Sequence, residues 1–268
     1  MRVARYAAFA LLVVIVGASL LADVIAPASY AEQFREMPNA SPTRAHPLGT
    51  DDLGRDRFSR TLYGTRISLL LAPAAALISA ILAALIGGLA GYVGGWVERV
   101  AMATTDLFLS LPWLFLLLMV RALLPLNASP LTSVTITFLI LGLLGWSGAA
   151  RVLCAEAHNF RTGDVLLQAR ATGQHGWRLF TKQLAPQLKP VLSAQFWISI
   201  PVFILSEANL GILGLGVAEP LPSWGSLLRE LESFASFGSE WWKLVPLGLL
   251  VAVVTSFQVL LSREEMSS

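Results

Sequence analysis

Charged residues are scarce in this chain of 268 residues. Aspartate, glutamate, lysine and arginine make up 13% of it, whereas about a quarter is usual in soluble domains. The deficit lies in long runs that hold none of them, for example between Arg66 and Glu98 and between Arg121 and Arg151. An apolar run of about 18 residues can cross a bilayer, and such a span is helical because lipid offers the backbone no hydrogen-bond partner. We therefore predict an all-α integral membrane protein with about six transmembrane helices.

Cysteine and the common catalytic and nucleotide-binding motifs are also lacking. The single cysteine, Cys154, excludes an internal disulfide and a cluster of cysteine ligands. Cys154 and His158 lie four residues apart, but two ligands do not make a metal site. The sequence has no G-x-x-x-x-G-K-[ST] phosphate loop and no histidine in a recognisable catalytic motif. The net charge of +2 is too small to favour nucleic acid. We predict a chain without catalytic residues, metal site or cofactor of its own.

Six apolar segments divide the chain, at about 6–25, 67–93, 100–124, 131–150, 191–217 and 244–261. They predict a transmembrane helix within 1–25, an extracytoplasmic segment at 26–66, a five-helix core at 67–262 and a short tail at 263–268. A cleaved signal peptide is the alternative for the first segment, because a basic start precedes its apolar run. Asp106 and Pro112 interrupt the third segment. Six spans place both termini on the same side of the membrane.

The polar segment at 26–66 leads into the second span. Apolar residues recur near its end at almost helical spacing among arginines, which predicts an amphipathic helix at the membrane surface that leads into the core. These apolar residues are Leu53, Phe58, Leu62 and Leu69. Thr50 or Asp51 is expected to cap the start of this helix.

A basic, helix-prone segment at 151–190 separates the fourth span from the fifth. It holds six basic residues and two acidic ones. Helix formers followed by a glycine predict one short helix over 164–173. A second helix is expected at about 177–184, ending before Pro186. Because this segment is folded, basic and placed between two spans, we predict that it docks a soluble partner.

Three glycines and two carboxylates inside apolar runs are candidates for packing or function. Gly87, Gly91 and Gly95 are spaced four apart, which lets two helix backbones approach closely. Carboxylates within a membrane are costly and usually face a bundle interior or a water-filled cavity. Glu207 therefore either lines a translocation path or makes a structural contact, for example at a subunit interface. Asp106 either pairs with Arg151 or Arg170 and braces the basic segment, or is a plain membrane-boundary carboxylate.

The basic segment resembles the cytoplasmic "EAA" loop of type I ABC importer permeases. The stretches DVLLQARATG and WRLFTKQLAPQ carry this resemblance. Five residues match the family pattern and are implied to form the ATPase-coupling loop: Asp164, Ala169, Arg170, Gly173 and Pro186. Three further stretches, at 46–69, 88–112 and 206–228, are similar in the same order to motifs of the dipeptide, oligopeptide and nickel subfamily. The single span before the long polar segment resembles the C-type subunit of that subfamily.

The resemblance implies a fold, a set of partners and a location. The fold is that of a type I ABC importer permease, and the chain would form half of a heterodimeric pore for peptides or a similar small solute such as nickel or a metal chelate. Its partners would be a second, B-type permease subunit, two ABC ATPase subunits that bind ATP and Mg, and an extracytoplasmic solute-binding protein. The chain would lie in a bacterial inner membrane, with the termini and residues 151–190 in the cytoplasm.

Two features leave alternatives open. The 19 basic residues divide almost evenly between the two sides, so the positive-inside rule does not decide the orientation. Gln183 and Gln187 replace the histidine and asparagine of the family pattern. After the last span the sequence has the short segment 263–268, where the family pattern has a longer tail. A degenerate, non-transporting membrane scaffold of the same fold is therefore the alternative function.

Overall fold

The computed structural model describes residues 2–123, 129–163, 177–233 and 240–262, and most of these residues are helical. Five helical stretches among them are long and apolar enough to cross a membrane, and a bent helix pair makes a sixth candidate. Thr50 and Asp56 form an isolated β-type bridge in an otherwise irregular stretch before the second span. The predicted all-α class with about six transmembrane helices is confirmed.

The helices run as follows along the chain. α1 is Arg2–Leu20 and α2 is Ala22–Ile25. α3, Arg57–Ala83, continues through a π-helical stretch, Ala84–Gly88, into α4, Leu89–Val93. α5 is Gly95–Ser110, α6 Trp113–Ala122, α7 Pro130–Leu144 and α8 Trp146–Thr162. α9, Trp177–Leu179, continues through a second π-helical stretch, Phe180–Leu184, into α10, Ala185–Ile212. α11 is Trp224–Arg229, and 3-10 turns at Glu230–Ser233 and Trp241–Leu244 precede α12, Val245–Leu261.

The third span bends sharply where the sequence places Pro112. α5 and α6 meet at 87° across a short break. Proline lacks the N–H that a continuous helix would bond, and it disfavours helical geometry in the residue before it. Leu111 is accordingly extended, with a ψ of 132°. The expected interruption is therefore confirmed at Pro112, whereas Asp106 lies within α5.

The start of α3 differs from the prediction. Neither Thr50 nor Asp51 caps it, because the helix begins only at Arg57. Asp56 fills this role instead: its carboxylate accepts the backbone N–H of Ser59 at 2.7 Å, which satisfies one of the free donors of the first turn. The sequence signal that was missed is an aspartate followed three residues later by a serine. In the structure the hydroxyl of Ser59 also donates to the Asp56 carboxylate.

The first turns of α3 are not an amphipathic surface helix. Arg57 and Arg60 are 8% and 0% exposed, although the sequence placed the arginines of this stretch at the membrane surface. Their guanidinium groups enter a cluster of ion pairs with acidic residues far away in the chain, described below. Because those partners are distant in sequence, the local pattern alone could not reveal that this face is buried.

The segment at 151–190 is more helical than expected at both ends. α8 continues to Thr162, and helix resumes at Trp177. The second helix does not end before Pro186: the chain stays helical from Trp177 to Ile212, through the π-helical stretch and Pro186. A wider π-helical turn lies just before the proline, and such local adjustments are how membrane helices accommodate residues without an N–H. The predicted helix at 164–173 lies outside the described residues.

The chain folds into two compact units. The first contains Met1–Ala72, Arg121–Phe138 and Pro201–Ser268; in it α1 packs along α12, and the Arg5 guanidinium donates to the backbone carbonyl of Ser262. The second contains Pro73–Val120 and Leu139–Ile200. Its core joins α8 to both π-helical stretches. The buried core residues are Ala83, Trp146, Ala149, Ala150, Leu153, Ala157, Phe160, Leu179, Leu184 and Leu188.

Candidate functional site around the basic segment

The residues assigned to ATPase coupling lie mostly outside the described part of the chain. Asp164, Ala169, Arg170 and Gly173 belong to 164–176, which the structure does not describe. Pro186 lies in the first turn of α10 and lines an apolar groove. The site can therefore be built from the two helix ends that hold this stretch, the end of α8 and the start of α9.

Two glycines bring the π-helical stretch and α4 onto the backbone of α8. A Cβ added at Gly87 would overlap the carbonyl group of Ala150, and one added at Gly91 would overlap the carbonyl oxygen of Cys154. The Gly91 Cβ would also lie 2.9 Å from the Cβ of Ala157. These are backbone-to-backbone contacts, the arrangement that small residues four apart permit in membrane helices.

Gly95 takes no part in this contact, and the prediction is corrected there. Its φ is +62°, and a Cβ added to it would meet no atom within 4 Å. The reason is the helix break at Gly94, whose φ of +75° ends α4, so that the four-residue spacing no longer keeps Gly95 on the packed face. The sequence pattern missed Gly94 itself, although a Cβ at this position would overlap the guanidinium of Arg161.

Asp106 on α5 pairs with Arg151 on α8. The guanidinium of Arg151 contacts the Asp106 carboxylate, and the two side chains are 57% exposed for Asp106 and 52% exposed for Arg151. Both side chains therefore lie on the surface of this chain and not in its core. Of the two partners expected for Asp106, Arg151 is the one the structure shows, since Arg170 lies outside the described residues. The pair borders an open cavity between α5 and α8 whose wall also includes Met102, Cys154 and Asn159.

A second cluster at the same cavity joins the start of α5 to the end of α8. Glu98, in the first turn of α5, accepts from His158 Nδ1 at 2.7 Å through Oε1 and from Arg161 Nη2 at 3.2 Å through Oε2. Nη1 of Arg161 donates to the backbone carbonyl of Val93 at 3.2 Å. We call Gly94, Glu98, His158 and Arg161 the Glu98 joint. Its members were not predicted to meet, because about 60 residues of chain lie between Glu98 and His158.

Glu207 is completely enclosed in the first unit. The residue is 0% exposed, and Ser68 Oγ lies 3.4 Å from its Oε2. The Ser223 side chain and the Gly225 backbone N–H at the start of α11 also interact with this carboxyl group. Among the described residues no cationic side chain lies within ion-pair distance of it. Its surroundings are hydrogen-bond donors of packed helices, as in the structural role weighed for it above.

A buried cluster of arginines and carboxylates, which we call the Arg60 cluster, ties the start of α3 to the region around α11. Its six members are Asp51, Arg55, Arg57, Arg60, Glu219 and Glu230. Arg60 is fully buried and lies 3.4 Å from Asp51, 3.1 Å from Glu219 and 3.5 Å from Glu230. Burial raises the pKa of the Glu230 carboxyl above its usual range, against the opposing effect of Arg57 and Arg60. Three members, Arg55, Glu230 and the half-exposed Glu219, line a polar cavity. The cluster was not predicted as a unit.

Comparison with known proteins decides the family. Residues 83–264 match the family model described as "Binding-protein-dependent transport system inner membrane component". The chain belongs to this family. It is 30% identical to the dipeptide transport system permease protein DppC of Bacillus subtilis over 90% of this chain and 74% of that protein. It is 32% identical to the oligopeptide transport system permease protein OppC of Escherichia coli K12 over 95% and 82% of the two chains, respectively.

Membership of the family settles three expectations. The chain is a multi-pass membrane protein with the type I importer permease fold, and it is the permease component of an ABC importer. Its relatives are permease subunits of transport systems, in keeping with a chain whose sequence lacks a phosphate loop. The match begins at residue 83 and includes the whole Glu98 joint and the basic segment.

Proposed function

We propose that this permease subunit carries peptides across the membrane as half of a heterodimeric pore. The observation that supports this cargo is the similarity to dipeptide and oligopeptide permeases over most of the chain and at least two thirds of each relative. A second, B-type permease subunit would complete the pore. An extracytoplasmic solute-binding protein would deliver the peptide.

Energy would reach the pore through the basic segment. A short projection, which we call the knob, would fit into a groove of one of two ABC ATPase subunits, which bind the ATP and Mg. It would contain Asp164, Ala169, Arg170 and Gly173. α8 enters this stretch at Thr162 and helix resumes at Trp177. Movement of the knob would therefore act directly on two helices, as in hinge-type switches between two positions. This role places residues 151–190 and both termini in the cytoplasm.

Co-purification is the first test of this assignment. The tagged chain is isolated from its native membranes in mild detergent, and the accompanying proteins are identified by mass spectrometry. We expect a second permease and one or two ATPases that carry phosphate loops. Recovery of the chain without any ATPase would contradict the coupling role and favour the non-transporting scaffold, the alternative suggested by Gln183 and Gln187.

Transport by the purified complex is the second test. The complex is reconstituted in lipid vesicles with its binding protein, and ATP-dependent uptake of a labelled dipeptide is measured. Arg170→Ala and Gly173→Val should abolish uptake while leaving the chain in the membrane, whereas Gln174→Ala, between the two matched stretches, serves as the control. Full uptake by both coupling variants would refute the proposed knob. Uptake of a metal chelate but of no peptide would refute the proposed cargo.

A further inference from the structure

The last turns of α8 are fastened to the break between α4 and α5 by one arginine. Arg161 lies three residues before Asp164, where the coupling stretch begins. Its two terminal nitrogens point to different elements: Nη1 to the Val93 carbonyl at the end of α4, at 3.2 Å, and Nη2 to Glu98 at the start of α5, also at 3.2 Å. A planar guanidinium offers two separate terminal nitrogens for these contacts, whereas a lysine carries all its donors on one nitrogen.

Glu98 completes the fastening because its carboxylate is shared. One oxygen accepts a hydrogen bond from Arg161, and the other accepts one from His158, one helical turn earlier on α8. Residues three apart lie on the same face of a helix, so this single side chain holds two consecutive turns of α8. Glu98 is 21% exposed and Arg161 26%, whereas His158 is 42% exposed, so the Glu98–Arg161 pair is more enclosed than the Asp106–Arg151 pair.

The helix break is shaped to receive this arginine. Gly94 has φ +75° and ψ −166°, a conformation that in practice only glycine adopts. A side chain there would also occupy the space of the Arg161 guanidinium. The contacts of Gly87 and Gly91 hold the π-helical stretch and α4 directly against the backbone of α8. The end of α8 and the α4–α5 break are therefore bound to move together.

We infer that Glu98 is a positioning residue that passes movement of the coupling stretch, through Arg161 and His158, into the bent helix pair α5–α6. This inference rests on the proposed coupling role of residues 164–173. Other contacts also link α8 to α4 and α5, namely those of Gly87 and Gly91 and the Asp106–Arg151 pair, but the joint lies next to the coupling stretch. A push on the stretch therefore reaches the start of α5 through Glu98, because α5 begins at the residue that follows Gly94.

The charge test measures dipeptide uptake per ATP hydrolysed in reconstituted complexes. Glu98→Gln and Arg161→Glu should each lower this ratio about tenfold, within the usual range of coupling between sites. The double variant E98R/R161E restores the pair of opposite charges but not the contacts with Val93 and His158, and should recover part of it. Glu156→Gln removes a carboxylate from α8 outside the joint and serves as the control. A wild-type ratio in both single variants would overturn the inference, and so would loss of the ATPases from the purified complex, since that marks a merely structural role.

A second pair of variants leaves every charge in place. Gly94→Ala and Gly95→Ala both force a side chain into positive φ, but only the first displaces Arg161. We expect uptake per ATP to fall with Gly94→Ala and to change far less with Gly95→Ala; equal effects would overturn the inference. Uptake by the wild-type complex is measured first. Its absence would refute the proposed function together with the joint, whereas normal wild-type uptake with unaffected joint variants refutes the joint alone.

Discussion

Replacing Gly91 by alanine tests the packing of α4 against α8. The new methyl group would overlap the Cys154 carbonyl oxygen and lie 2.9 Å from the Cβ of Ala157. Overpacking of this kind costs about 1–3 kcal/mol, and we expect the upper part of that range because the overlapped atom belongs to a backbone that cannot rotate away. The better helix propensity of alanine offsets about 1 kcal/mol. The net loss of stability should be about 2 kcal/mol.

The single cysteine supplies the assay. Cys154 is 3% exposed and lies at the packed contact, so a thiol-reactive fluorescent dye labels it only when this region opens on heating. A loss of about 2 kcal/mol should lower Tm by roughly 4–8 °C in a chain of this size. Gly148→Ala is the matched control: it lies in α8 with nothing within 4 Å of an added Cβ, and should raise Tm by about 2–4 °C. A Tm at or above wild type for Gly91→Ala would refute the reasoning.

Three further variants probe the start of α3 and the Arg60 cluster. Asp56 also contacts His46 Nδ1 at 2.9 Å, and both Asp56→Ala and Asp56→Asn disturb that contact. Because only Asp56→Asn keeps an acceptor for the Ser59 N–H, Asp56→Ala should cost about 1–2 kcal/mol more in chemical or thermal unfolding; equal losses would contradict the capping role. Arg60→Met removes one cation from the cluster, while Asp51 and Glu219 keep Arg55 and Glu230 keeps Arg57; it should cost about 1–3 kcal/mol, and an unchanged Tm would contradict this. Because burial raises the pKa of Glu230 above 4.5, the folded chain binds this proton more tightly than the unfolded chain, and stability falls as pH rises through the raised pKa. Tm is measured as a function of pH, above the ordinary pKa of a glutamate. Glu230→Gln should flatten the fall of Tm with pH, whereas Glu36→Gln, at an exposed position, should leave it unchanged. An unchanged fall in Glu230→Gln would show that another group causes it.

Hydrophobic periodicity and glycine spacing revealed the structural features that are determined by residues close together in the chain. The apolar runs predicted the helical class, Pro112 predicted the bend of the third span, and the spacing of Gly87 and Gly91 marked the face that meets α8. These features follow from the backbone: an apolar run must bond internally in lipid, and proline lacks the donor that a helix needs. Such constraints act within a few residues and can be read along the chain.

The features that sequence reasoning missed depend on distant partners. Arg60 looked like a surface arginine because Glu219 and Glu230, which bury it, lie far away along the chain. Glu98 looked like the boundary of a span, and nothing local indicated that His158 and Arg161 would reach it. Gly95 was assigned to the packed face because a pattern of four-residue steps does not reveal that Gly94 breaks the helix between them.

The length of α10 has a mechanical consequence. With most of the π-helical stretch before it, the helix covers Thr181–Ile212, which is 32 residues. At 1.5 Å per residue this is about 48 Å, whereas the hydrocarbon core of a bilayer is about 30 Å thick. Roughly three turns of the helix therefore extend beyond the hydrocarbon layer. The connection between the basic segment and the fifth span is therefore continuous helix rather than a flexible linker.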